Sequence, residues 1–302
     1  FDPMTGNIAA LAGFEHSNGK TKVAVPMLPE GVGFIVFRKA SEGVKTVKVS
    51  NALAQPALSL SLDNDNQLKV KSVQNGTYSL SFTDGSTQEL EVNTLPEPIR
   101  IEGDWEVTFP GIKTGSKTVM FPELIDWTSF DKEGIKHYSG TAIYKTEFKI
   151  SKKQLVRGHK LVLDLGKVHE IARVVVNGKD LGVIWKAPHT VDSTSALKTG
   201  KNELRIEVTN QWTNRLIGDE NFQNLTGYDI RPQINKPLRA KDPHLSLINR
   251  YNMVDWYVNN ELAPLGQRST FVTYPFYDKG DRLLPAGLLG EVMIKVQAEI
   301  EF

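Results

Sequence analysis

The chain has 302 residues, with 36 Lys and Arg against 35 Asp and Glu, a net charge of +1 and no Cys. That balance offers no global field to recruit nucleic acid or an anionic membrane, and the missing Cys removes disulfides, thiolate metal sites and Cys nucleophiles together. A hydrophobic fraction of 40% over this length allows two globular domains and indicates neither disorder nor a membrane span.

The start, Phe1-Asp2-Pro3-Met4-Thr5-Gly6, has neither the basic residues nor the apolar segment of a signal peptide. Beginning at Phe inside a β-rich region, it predicts a piece cut from a longer protein. Residues 1–97 hold eight short β-like runs, namely Asn7–Phe14, Lys22–Leu28, Gly33–Arg38, Thr46–Ser50, Ala57–Leu62, Gln67–Val73, Thr77–Thr83 and Thr87–Asn93. Turns such as Ser17-Asn18-Gly19, Asn75-Gly76 and Asp84-Gly85 separate them. This spacing predicts an immunoglobulin-like β-sandwich without the Cys pair of antibody domains. Leu95-Pro96-Glu97-Pro98 marks the domain boundary, because proline breaks ladder bonding and stiffens a connection.

Residues 98–302 read as a second β-sandwich. Ile101, Gly103, Trp105, Val107 and Phe109 are in phase, and "FPELIDWTSFDKEGIKHYSG" follows as a long, partly ordered connection. In the strand from Ser139 to Ile150, Ala142, Tyr144, Thr146, Phe148 and Ile150 share one face. Leu161, Leu163 and Leu165 are in phase up to Gly166. Ala172–Val176 and Leu181–Trp185 flank Asn177-Gly178, the strongest short-range hairpin signal, since both turn residues tolerate positive φ. Asp192–Leu197 reads as a single helical turn, and Leu204, Ile206 and Val208 alternate with polar residues in the next strand. Residues 211–267 then lose strand periodicity, which predicts a long irregular insertion of the kind that often carries function, with a short helix within Met253–Leu262. Thr270–Tyr277 returns to β character, and Val292, Ile294, Val296, Ala298, Ile300 and Phe302 give the last strand. The whole is an all-β chain of two sandwiches.

The stretch "SGTAIYKTEFKI … LVLDLGKVHEIARVVVNGKDLGVIWKAPHTVDSTSALKTGKNELRIEVTN", with its NGK-x-LG-x-x-W cluster, resembles the galactose-binding-like jelly roll of family 2 glycoside hydrolases. "QWTNRLIGDE" and "LLPAGLLGEV" resemble the C-terminal region of the large family 106 α-L-rhamnosidases, while "DPMTG" and "VGFIVFRK" resemble the close of the β-domain that precedes the jelly roll there. The resemblance implies a non-catalytic accessory region of a secreted bacterial polysaccharide-degrading enzyme, periplasmic or extracellular. Its partners would be a polysaccharide and the intramolecular catalytic barrel. The same resemblance permits a structural calcium without locating it, and implies no other cofactor.

The residues leave several functional possibilities open. Glycoside hydrolysis needs two carboxylates roughly 5 to 10 Å apart. Glu123, Asp126, Asp131, Glu133, Asp219 and Glu220 stand in irregular stretches, but no alternating βα pattern of a catalytic barrel is present, and no catalytic pair is assigned. Sugar binding by stacking needs an aromatic face with polar neighbours. Trp185 with His189, and Trp212 with Asn214, Arg215 and Asp219, meet that description, as do Trp256 and Tyr228, against the ordinary alternative that each indole is core. Arg215 with Asp219 or Glu220 also fits an ion pair anchoring the insertion. An independent carbohydrate-binding module and a protein-interaction domain, which would show a contiguous apolar patch, remain alternatives. The six His form no HxH or HExxH motif, Asp63-Asn64-Asp65-Asn66 lacks the rest of a calcium loop, and no metal site is assigned.

Overall fold

A computed structural model of the chain describes residues 1, 6, 8, 10–23, 32–37, 47–50, 58–62, 67–93, 95–112, 115–155, 159–222, 259–261, 268–270 and 276–301. Trp256, Tyr228, the 63–66 loop, most of the 211–267 insertion with its expected helix, and most of the 270–277 strand lie outside these residues.

The N-terminal part contains β1 (Phe14–Ser17), β2 (Lys20–Val23), β3 (Val47–Ser50), β4 (Leu58–Leu62), β5 (Leu68–Ser72), β6 (Gly76–Phe82) and β7 (Thr87–Val92). Asn18 and Gly19, both at positive φ, close the β1–β2 hairpin with a two-residue loop that fixes Ser17 opposite Lys20. The tight loop therefore places both strands nearer the turn than the apolar runs suggested. β3, β6 and β7 form one small sheet, and β4 and β5 join a second. Tyr78, Leu80, Leu90 and Val92 of the first are buried, as are Leu68 and Val70 of the second. The strand expected at Gly33–Arg38 is absent from the described residues 32–37. Among the described residues their paired backbone bonds are the two exchanged between Phe34 and Phe1, and one residue pair does not make a ladder.

After β8 (Ile99–Arg100) come β9 (Trp105–Ile112), β10 (Gly115–Phe121), the short helix α1 (Glu133–Lys136), β11 (Thr141–Ile150), β12 (Lys160–Asp164), β13 (Lys167–His169), β14 (Ile171–Val176), β15 (Lys179–Ile184), β16 (Thr190–Asp192), β17 (Gly200–Thr209), helix α2 (Thr213–Asp219), β18 (Gly287–Gly290) and β19 (Met293–Glu301). One antiparallel sheet runs β10-β9-β11-β17-β14-β15, and the facing one runs β16-β12-β19-β5-β4 with β8 also on β19. The alternation read in the sequence is the burial alternation observed: Ala142, Tyr144, Thr146 and Ile150 point inward, as do Leu161, Leu163, Leu165, Leu204, Ile206 and Val208. Asn177 and Gly178 close the β14–β15 hairpin at φ 49° and 79°. Asp192–Leu197 is a hydrogen-bonded turn, with Asp192 Oδ1 accepting from Thr194 N at 3.0 Å and Leu197 N donating to Ser193 O at 3.2 Å.

Strand β10 has no counterpart in the sequence reading. It is a sheet edge on which Phe121 is buried and Met120 exposed, so it lacks the one-sided apolar pattern of an inner strand. The "FPELIDWTSFDKEGIKHYSG" connection is more ordered than expected. Trp127 is fully buried within it, donating from Nε1 to Tyr144 Oη at 2.5 Å, and the Leu288 N–H reaches the same oxygen at 3.1 Å. Around these sit Trp105, Phe109, Phe121 and Tyr138 in edge-to-face and tilted contacts, with ring centroids 5.1 to 6.4 Å apart. Burial pushes the Tyr138 hydroxyl up to about 12, and it donates to Pro110 O at 2.7 Å.

The last strand crosses the boundary read at Leu95–Pro98. β19 pairs through residues 293–297 with β12 and through residues 298–301 with β5 of the N-terminal part. Leu95 is buried, and the Asn75 side chain brackets it, donating to its carbonyl at 2.8 Å and accepting from its N–H at 3.0 Å.

Candidate functional site

Sheet register places the two candidate tryptophans at one end of the sandwich. Ala172 of β14 pairs with Ile184 of β15, and Ile171 pairs with Thr209 of β17. Trp185, one residue past Ile184, and Trp212, three past Thr209, therefore leave the sheet at the same rim on either side of β14. They are 55% and 65% exposed, so the core reading fails for both. Core indoles are instead Trp105 and Trp127, neither of which the sequence singled out for sugar. Alternation distinguishes these pairs poorly, because Trp185 ends a strand and Trp212 precedes a helix.

The rim is held firmly. Asn210 accepts from Gly140 N at 3.0 Å and donates to Tyr138 O at 2.8 Å, and Glu170 N donates to Thr209 O at 3.0 Å. From that base Gln211 Nε2 donates to Glu170 Oε1 at 3.0 Å, a polar pair between the two tryptophan-bearing strands that sequence reasoning passed over. His189 is half-buried, and its Nδ1–H is placed 3.0 Å from Gly166 O, which leaves Nε2 as its other polar atom. The adjacent Ile171 and Val183 are also exposed.

The other candidates turn inward with α2. Asn214 is 2% exposed and mimics a strand, donating to Leu284 O at 2.7 Å and accepting from Leu284 N at 2.8 Å. Asp219 is completely buried. Its carboxylate accepts from Ser269 N at 2.8 Å, from Thr270 N and Thr270 Oγ1 at 2.7 Å each, and pairs with Arg215. Beside it Glu220 and Arg268 form a second buried pair at 2.8 Å. The polar atoms of Asn214 and Asp219, which the sequence offered for sugar contact, are engaged inside the protein, and Arg215 makes the anchoring ion pair with Asp219, its Nε having no partner among the described residues. Gly218 lets α2 close on α1, since a Cβ there would lie 2.5 Å from the His137 ring. His137 Nδ1 is 2.9 Å from Glu133, and burial, reinforced by Arg215 and Lys136 and opposed by Glu133, lowers its pKa from the ordinary 6.5.

Of the carboxylates weighed for catalysis, Asp126 spends Oδ1 on Thr128 N, Thr128 Oγ1 and Ala286 N, while Asp219 and Glu220 face arginines. Among the described residues no group of three or more His, Asp or Glu side chains is placed to hold a metal ion, so they offer no carboxylate set for the calcium that the resemblance permits. No described helix is long and apolar enough to cross a membrane.

The two antiparallel sheets packed on one core make a β-sandwich, with the tryptophan rim at one end. Residues 130–246 match the family described as glycosyl hydrolase 2 galactose-binding domain-like, so the chain carries a domain of that kind. Over 236 residues, 78% of the chain, it is 39% identical to the "Putative beta-glucuronidase" of Formosa agariphila, and it spans 19% of that protein's length. A solved structure, the rhamnosidase from Novosphingobium sp. PP1Y, superposes with a TM-score of 0.51 at 20% identity, covering 84% of this chain and 25% of the other. That likeness is one of fold.

Proposed function

We propose that this region is a non-catalytic accessory part of a large polysaccharide-degrading glycoside hydrolase, of the family 106 α-L-rhamnosidase kind, and that it holds carbohydrate at the Trp185–Trp212 rim. The observation that carries the reading is the exposure of both indoles at one end of a galactose-binding-like sandwich. The apolar C–H face of a pyranose stacks on such a ring, and the hydroxyls then need planar polar partners beside it. On this reading residues 1–97 and 98–302 are two modules joined through β19, working outside the cytoplasm beside a catalytic barrel. Calorimetric titration with rhamnose-containing pectic oligosaccharides, with arabino- and galacto-oligosaccharides as controls, tests it. Saturable heat with one class supports carbohydrate binding; no heat at millimolar sugar removes it and leaves the scaffold role.

One observation favours a protein-contact role in addition. Val32, Phe34, Ile35, Val36 and Phe37 are 45–77% exposed in sequence, with Phe1 beside Phe34 at a ring separation of 5.9 Å. Contiguous apolar surface of this kind marks interaction sites. Phe34→Asp and Phe37→Asp should leave sugar binding intact and abolish association with the rest of the longer polypeptide, measured by co-purification of separately expressed parts.

A further inference from the structure

We infer that the rim takes an internal stretch of a chain rather than a single terminal sugar, with the Glu170–Gln211 pair reading the hydroxyls of a neutral unit between the two indoles. This rests on the carbohydrate reading above and adds the length and charge of what is bound.

The span argues for a chain. Trp185 follows β15 and Trp212 follows β17, and both strands flank β14. Two strand spacings are about 10 Å, wider than one pyranose ring, so a single sugar reaches one platform and a chain reaches both. The polar pair argues for what lies between. Glu170 begins the approach to β14 and Gln211 leaves β17, so their 3.0 Å bond lies in the gap between the platforms. That bond uses Glu170 Oε1 and one Gln211 N–H, leaving Glu170 Oε2, Gln211 Oε1 and the second amide N–H for a ligand. Together they offer two acceptors and a donor in fixed orientation, a match for vicinal hydroxyls at low ordering cost.

The charge selects against acids. Glu170 makes no ion pair among the described residues, so a uronate carboxylate laid over it meets an uncompensated like charge. Of the cations nearest in sequence, Arg173 is paired with Asp180 and Glu207 and Arg215 with Asp219, while Lys167 stands three residues before Glu170 on β13. Neutral units are therefore expected over the pair.

Titration of the protein with a chain-length series of one neutral oligosaccharide, from monosaccharide to tetrasaccharide, decides the matter. Affinity should rise about tenfold or more along the series. Trp185→Ala and Trp212→Ala should each abolish that rise, while circular dichroism and thermal midpoint stay those of the parent. Glu170→Gln, which keeps the shape and removes the charge, should admit acidic oligosaccharides that the parent refuses. A monosaccharide bound as tightly as a tetrasaccharide, loss of binding with one tryptophan only, or an unchanged response to acids in Glu170→Gln overturns the inference and leaves sugar binding standing. Absence of heat with every sugar overturns both.

Discussion

The rim and the helix that follows it are a few residues apart and do opposite things with similar side chains. Gln211 and Trp212 stay in solvent, whereas Asn214 and Asp219, in the next turn and a half, are sealed against Leu284 and the 268–270 segment, with Arg215 half-buried and paired to Asp219. A polar residue near an aromatic is thus no guide to ligand contact. What separates the two groups is whether the backbone nearby already needs the polar atoms, since buried N–H and C=O groups take the nearest side chain that can satisfy them.

The largest effect that would break this comparison lies at Asp219. Removing it in Asp219→Ala leaves the Arg215 guanidinium and two backbone N–H groups unpaired, at about 3–5 kcal/mol, read as a fall in the urea midpoint. Gly218→Ala forces a methyl into the His137 ring, and about 1–3 kcal/mol of overpacking is expected by the same measurement. Asn214→Ala frees both Leu284 backbone groups, at about 1–3 kcal/mol. In all three the fluorescence of the exposed indoles should still respond to sugar once folding is restored by low temperature.

A smaller, pH-dependent effect sharpens the division. Burial first, then Arg215 and Lys136, hold the His137 imidazole below 6.5 against the pull of Glu133. The unfolded chain takes up that proton more readily than the folded one. This contribution to stability is therefore complete above pH 6.5 and is lost as pH falls below it. Denaturation midpoints from about pH 7.5 down to about pH 5 should drop more steeply in the parent than in His137→Asn. Smallest of all in stability are Trp185→Ala and Trp212→Ala, each within about 0.5 kcal/mol of the parent. If either melts like a core variant, the rim is packing surface and the contrast collapses.

Much of the sandwich was legible in the chain. The strands at 141–150, 160–164, 171–176 and 200–209 follow from alternation, and the β14–β15 hairpin follows from Asn177-Gly178. Of the site, Trp185 and Trp212 were legible as residues but not as exposed ones, and Glu170 with Gln211 had no signal at all, because the bond joins positions 41 apart.

By itself the sequence determined the β class, the turn chemistry and which face of each inner strand meets the core, since all three depend on neighbours within a few residues. Only the tertiary structure decided the rest. β10 became a strand because β9 offers it an edge, β19 divided itself between β12 and β5, and residues 213–219 became a helix whose polar side chains satisfy distant backbone. Each of these is set by a partner far along the chain, and periodicity carries no record of that.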